Sequence, residues 1–164
     1  MLELLVRSHY NHNADDLFER ATHFSDLLEV TGAISTYAGL PSVQMEAGRT
    51  YCTDIRVFGI FKCSNYQIRI NKVCHALKVL ESAESNDMVR LWLHRLQISP
   101  TKTGSVWTDH VVIDAGKKTP IISRYAKFMY QHRHKTRGGE NIEASLSKAC
   151  RPITPDRPVF YPAE

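Results

Sequence analysis

Long hydrophobic runs are missing from this chain of 164 residues. No stretch reaches the roughly 18 uninterrupted apolar residues that a membrane-spanning helix requires. The first ten residues carry Glu3 and Arg7 among their apolar neighbours and lack a small-residue cleavage site, so they do not read as a signal peptide. A cytoplasmic location is the expectation. Cysteine is scarce too. Cys52, Cys63, Cys74 and Cys150 show no CxxC spacing, which argues against a zinc knuckle and for free thiols. No GxGxxG or P-loop is present, and no Ser, Cys or Lys stands in a recognisable nucleophile motif, so nucleotide and covalent chemistry are not expected. No cofactor is expected either. His132 and His134, two apart on a helix, project about 200° from one another and cannot share an ion, and no other histidine spacing demands a metal.

Net charge is low, at +4, but unevenly placed. From Lys117 to Arg137 there are seven Lys or Arg and no acid. Arg133, Lys135 and Arg137 fall at a helix end, where cations complement the macrodipole; nucleic acid is not an expected partner, while a peripheral membrane or protein contact through these three stays open. Hydrophobic residues at 43% and charged residues at 23% are ordinary for one globular domain.

Leu2 to Tyr10 suits a first strand. Asn13 then caps a short helix with Asp15 and Asp16 in its first turn, and a second short helical segment covers His23 to Leu28, with Ser25 and Asp26 as caps. A loop follows, marked by Gly32, Gly39, Pro41 and Gly48. From Arg49 the period becomes two. Strands are expected at Arg49–Val57, Tyr66–Asn71, Cys74–Glu81, Met88–Ile98 and Val106–Asp114, separated by short polar turns, as in an antiparallel meander. Thr119 and Pro120 open a long helix that ends near Arg137, before Gly138 and Gly139. Residues 138–164 contain four prolines and read as an extension over the surface, with a helical turn at Ile142 to Ala149; an arm of this kind leaves a homodimer open. The expected division is a domain at 1–137 and a proline-rich extension at 138–164.

This order implies an α+β fold: about six curved antiparallel strands wrapped around a long C-terminal helix, with two short helices after strand one. The space between such a sheet and helix tends to be a cavity, and function belongs there.

Two segments carry a resemblance. Leu91-Trp92-Leu93-His94-Arg95 is followed, after a short turn, by Gly104-Ser105-Val106-Trp107-Thr108-Asp109-His110-Val111. Together they resemble the W-x-H and G-T-x-x-x-D-x-V strands of the START-like, or SRPBCC, helix-grip superfamily, with Ser105 where threonine is usual. Tyr130-Gln131-His132-Arg133-His134 resembles the end of that family's last helix. The likeness covers about residues 2–137 and implies the helix-grip fold of polyketide cyclases, lipid-transfer domains and coenzyme-Q-binding proteins. That scaffold hosts transport, binding and catalysis alike, so fold does not name function.

Trp92 and His94 share one face of a strand, as do Trp107 and Asp109 of the next. If the register aligns them, His94 and Asp109 meet, either as a general acid–base pair or as a structural cross-strand contact. Tyr51, Ile55, Trp92, Trp107, Tyr125 and Met129, with His94 and Asp109, form the candidate cavity lining, some of it plain core. The leading expectation is a protein that binds a hydrophobic or aromatic small molecule, such as a lipid, quinone or polyketide-like compound. One alternative is a cyclase or dehydratase using His94 and Asp109 in the same cavity. Another is an interaction module built on Arg133, Lys135 and Arg137, which requires those three to be exposed and contiguous.

Overall fold

In a computed structural model that describes residues 1–149, the chain runs β1 (Leu2–Tyr10), α1 (Ala14–Ala21), α2 (Phe24–Thr31), β2 (Ser35–Ala38), β3 (Thr50–Val57) and β4 (Phe61–Cys74). It continues through β5 (Val79–Ser85), β6 (Leu91–Thr101), β7 (Gly104–Asp114), a 3-10 turn at Gly116–Lys118, α3 (Thr119–Thr136) and β8 (Glu140–Lys148). The strands form one sheet in the order β2-β3-β4-β5-β6-β7-β1-β8, every neighbouring pair antiparallel. This is the expected α+β helix-grip architecture, with eight strands in place of six.

The two added strands are instructive. β2 lies in the expected loop and pairs with β3. β8 occupies Glu140–Lys148, where a surface extension with a helical turn was expected, and pairs along β1. Its alternating Asn141, Glu143 and Ser145 belong to an edge strand whose apolar partners, Ala144 and Leu146, pack on the core. The boundary expected at residue 137 therefore does not hold, because the sheet continues to Lys148; the prolines of the expected extension lie outside the described residues.

Boundaries elsewhere moved for local reasons. Asn13 caps α1 as expected, its Oδ1 accepting from Asp15 N at 2.7 Å. Asp26 is not a cap of α2 but a buried residue of its first turn. The strand expected at Cys74–Glu81 is split, since Lys78 adopts a left-handed turn conformation (φ 51°) between β4 and β5. Lys118, not Thr119, is the N-cap of α3; the Thr119 hydroxyl donates to Gly116 O at 2.8 Å and accepts from Ala115 N at 2.9 Å.

Leu4, Val6, Val111 and Ile113 project from β1 and β7 onto Ala126, Met129 and Tyr130 of α3, all buried. A second cluster joins Leu17 and Phe18 of α1 to Leu96, Ile98 and Trp107, and a third joins Phe24 to Tyr51, Ile55, Tyr66 and Ile68. The long helix lies over β1, β7 and β8 and not over β3, β4 and β5. A twisted sheet diverges from a straight helix, and the gap on the far side is not closed by side chains.

Candidate functional site: a cavity with a polar floor

That gap is a cavity of about 530 Å3, in the size range of small-molecule sites. β3, β4 and β5 supply Ile55, Val57, Cys63, Tyr66, Ile68 and Leu80; α3 supplies Ile122, Tyr125, Met129 and Tyr130. Phe58, Phe61 and Ile121 line it and are also exposed, so the cavity reaches solvent past an apolar rim. Of the eight expected lining residues, seven lie on its wall: Ile55, Trp92, His94, Trp107, Asp109, Tyr125 and Met129. Tyr51 does not. Its ring packs edge-on against Phe24, with centroids 4.7 Å apart, and its hydroxyl accepts from Glu46 N at 3.3 Å.

His94 and Asp109 do meet, although not as directly opposed residues. The register sets His94 against Val111 and Leu96 against Asp109, so the two are diagonal neighbours on the inward face. His94 Nε2 lies 2.7 Å from Asp109 Oδ1. The other carboxylate oxygen, Oδ2, lies 2.7 Å from Nε2 of His134 on α3, and His134 Nδ1 lies 2.6 Å from the Tyr10 hydroxyl of β1. Four elements, β6, β7, α3 and β1, are thus joined by one polar chain, His94–Asp109–His134–Tyr10.

The charges in this chain can be assigned. Burial pushes the Asp109 carboxyl up, but hydrogen bonds from His134 and then His94 outweigh it and hold the group well below the usual carboxylate range. An ionised carboxylate only accepts, so both imidazoles donate from Nε2. Tyr10 is shifted the other way: burial, partly offset by Arg137, raises its phenol above the ordinary value. It therefore keeps its proton, which its hydroxyl can donate to His134 Nδ1. His94 Nδ1 takes no hydrogen bond from the described residues and stands open at the cavity wall.

A second polar group lies on the neighbouring strand β5, where Ser82 stands opposite His94 and Glu84 opposite Trp92. Glu84 accepts from Tyr66 OH at 2.9 Å and from Ser82 Oγ at 3.1 Å. Burial and the neighbouring Glu84 carboxylate together raise the Tyr66 phenol, which stays a donor.

The three basic residues at the end of α3 do not form the exposed patch that an interaction module requires. Only Lys135 is exposed. Arg137 turns inward, its Nε donating to Asp26 Oδ2 at 2.7 Å and its guanidinium stacked 4.3 Å from the Trp107 ring centre. Arg133 lines the cavity.

His134, Tyr10 and Glu84 were not among the expected site residues, and Arg133 was expected only in the exposed basic group, not on the cavity wall. One signal was available: Ala126, Tyr130 and His134 recur every four residues and so share one stripe of α3. All three are buried. The basic end of the helix masked that stripe, because alternating charge reads as a solvated face.

Among the described residues no helix is long and apolar enough to cross a membrane. No family model and no curated protein matches the chain. Solved structures do match in fold. A protein of Chromobacterium violaceum aligns at a TM-score of 0.65 with 11% identity, over 83% of this chain and 94% of that one. The major latex-like protein 151 of Panax ginseng aligns at 0.62 with 10% identity, over 82% and 93%. Norcoclaurine synthase of Thalictrum flavum, in complex with dopamine and hydroxybenzaldehyde, aligns at 0.61 with 11% identity, over 83% and 84%. At this identity the likeness is one of fold: the START-like, Bet v 1-like helix grip.

Proposed function

We propose that this helix-grip protein binds a hydrophobic or aromatic small molecule in the cavity between its sheet and α3. The observation that carries the reading is the cavity of about 530 Å3, walled mainly by aliphatic and aromatic side chains. Protein interiors are close-packed, and a void of this size forfeits dispersion contacts that a ligand would restore. The bound aromatic pair in norcoclaurine synthase fits the same use of the fold. Native mass spectrometry of protein purified from its own host, followed by organic extraction, should find an apolar molecule near one per chain. Empty protein that also fails to take up the neutral dye Nile red would sink the proposal.

A second reading, acid–base catalysis of the cyclase or dehydratase kind, is favoured by one observation: His94 reaches the cavity with its Nε2 fixed on Asp109. A carboxylate that selects the tautomer leaves Nδ1 free to take a proton from a bound molecule and return it. His134 and Tyr10 act as positioning residues, holding Asp109 from behind. If turnover occurs, the extracted compound or its precursor should be converted to a new chromatographic species by the native protein and not by His94→Gln. Identical chromatograms for the two proteins would exclude it.

A further inference from the structure

We propose that Arg133 is an anion-recognition residue inside the cavity, and that the molecule bound there is a monocarboxylic acid with an apolar body. The inference rests on the ligand-binding reading above and adds the ligand's chemical class. It comes from a comparison of two arginines one helical turn apart. Arg137 is fully engaged, with the Asp26 carboxylate against Nε and NH2 at 2.7 Å and the Trp107 ring beneath it. Arg133 has no carboxylate within 4.0 Å among the described residues. Its NH2 donates to the neutral Tyr37 hydroxyl at 3.2 Å, its guanidinium carbon stands 5.0 Å from the Tyr130 ring centre, and its Nε is buried with no partner.

Guanidinium stays charged in proteins, so deprotonation cannot relieve this burial. The cavity's own carboxylates have other hydrogen-bond partners, Glu84 in Tyr66 and Ser82, Asp109 in His94 and His134, and Asp26 in Arg20 and Arg137. A half-buried guanidinium whose Nε is buried without a partner, and which reaches Glu84 and Asp109 only at longer range, is underpaired, and its planar fork matches a carboxylate in two parallel hydrogen bonds. Of the other two cations on the wall, Arg137 is paired with Asp26 and Lys118 is exposed at the opposite end of α3, which leaves Arg133 to hold one anionic group on an apolar body. The Tyr130 ring that lies under Arg133 also lies 5.3 Å from the His94 ring, so an acid held at Arg133 extends past the His94–Asp109 pair.

The test is competition against Nile red with a matched pair, decanoic acid and 1-decanol, at neutral pH, in the native protein, Arg133→Met and Arg133→Lys. Each competitor is read against that protein's own dye affinity. The native protein should prefer the acid at least tenfold, about the value of one charge-assisted pair. Arg133→Met should bring acid and alcohol together, and Arg133→Lys should keep part of the difference. Equal displacement by acid and alcohol in the native protein overturns the proposal while leaving the cavity reading intact. A preference that survives Arg133→Met also overturns it. Failure of the native protein to bind Nile red or either competitor overturns both readings. Should Arg133→Met not fold, the native ratio and Arg133→Lys decide.

Discussion

Asp109 is the residue on which the polar floor depends. Buried on β7, it stays ionised only because two imidazoles donate to it, and removal of either leaves a buried charge short of a partner. Its folded-state pKa is depressed, so its stabilisation is present above the ordinary carboxylate value of about 4 and is lost as pH falls below that value. Urea denaturation should therefore find Asp109→Asn less stable than the native protein by about 2–4 kcal/mol at neutral pH, with the gap narrowing in acid below about pH 4. A gap that stays constant through this range would contradict the assignment. That His94 shares a face with Trp92 and Asp109 with Trp107 was legible from strand period, while the register decided that His94 meets Asp109. His134 and Arg133 were not legible: a charged or imidazole side chain near a helix end is solvated in most folds, and only the sheet behind it decides otherwise.

At the scale of elements, the connection from α3 to β8 does more than return the chain. Gly138 adopts φ 83° and lets the helix end in the left-handed conformation that glycine favours. At Gly139 the limit is space, since a Cβ there would lie 2.5 Å from Cζ of Tyr10. The close approach sets β8 beside β1 and leaves the Tyr10 hydroxyl on His134. Gly139→Ala should push the Tyr10 ring away and cost about 1–3 kcal/mol. In a double-mutant cycle with Tyr10→Phe the two losses should fall short of additive, because both remove one hydrogen bond. Full additivity would place the damage elsewhere. The glycines were readable as a helix stop, but the strand after them was not: Glu140–Lys148 is polar, and a weakly apolar edge strand is recognised only by its partner.

For the molecule as a whole, the open side of the sheet is a store of unused contacts. Binding that fills it should stabilise the fold by mass action, by about 2.7 kcal/mol at a ligand concentration of 100 Kd. For a chain of this size that corresponds to a Tm rise of about 5–10 °C, measurable by scanning calorimetry with the extracted ligand or a bound surrogate. No shift at saturating ligand would mean that binding occurs outside the cavity or to the unfolded chain as well. The sequence by itself determined β1, the two short helices after it, the meander and α3, and that Trp92 shares a strand face with His94 and Trp107 with Asp109, because these follow from local period, caps and turns. Only the tertiary structure decided which sheet face turns inward, that β8 completes the sheet, and that Arg133 and His134 point into the fold. Those outcomes depend on where a curved sheet meets a straight helix, a relation between residues more than a hundred positions apart that no local pattern encodes.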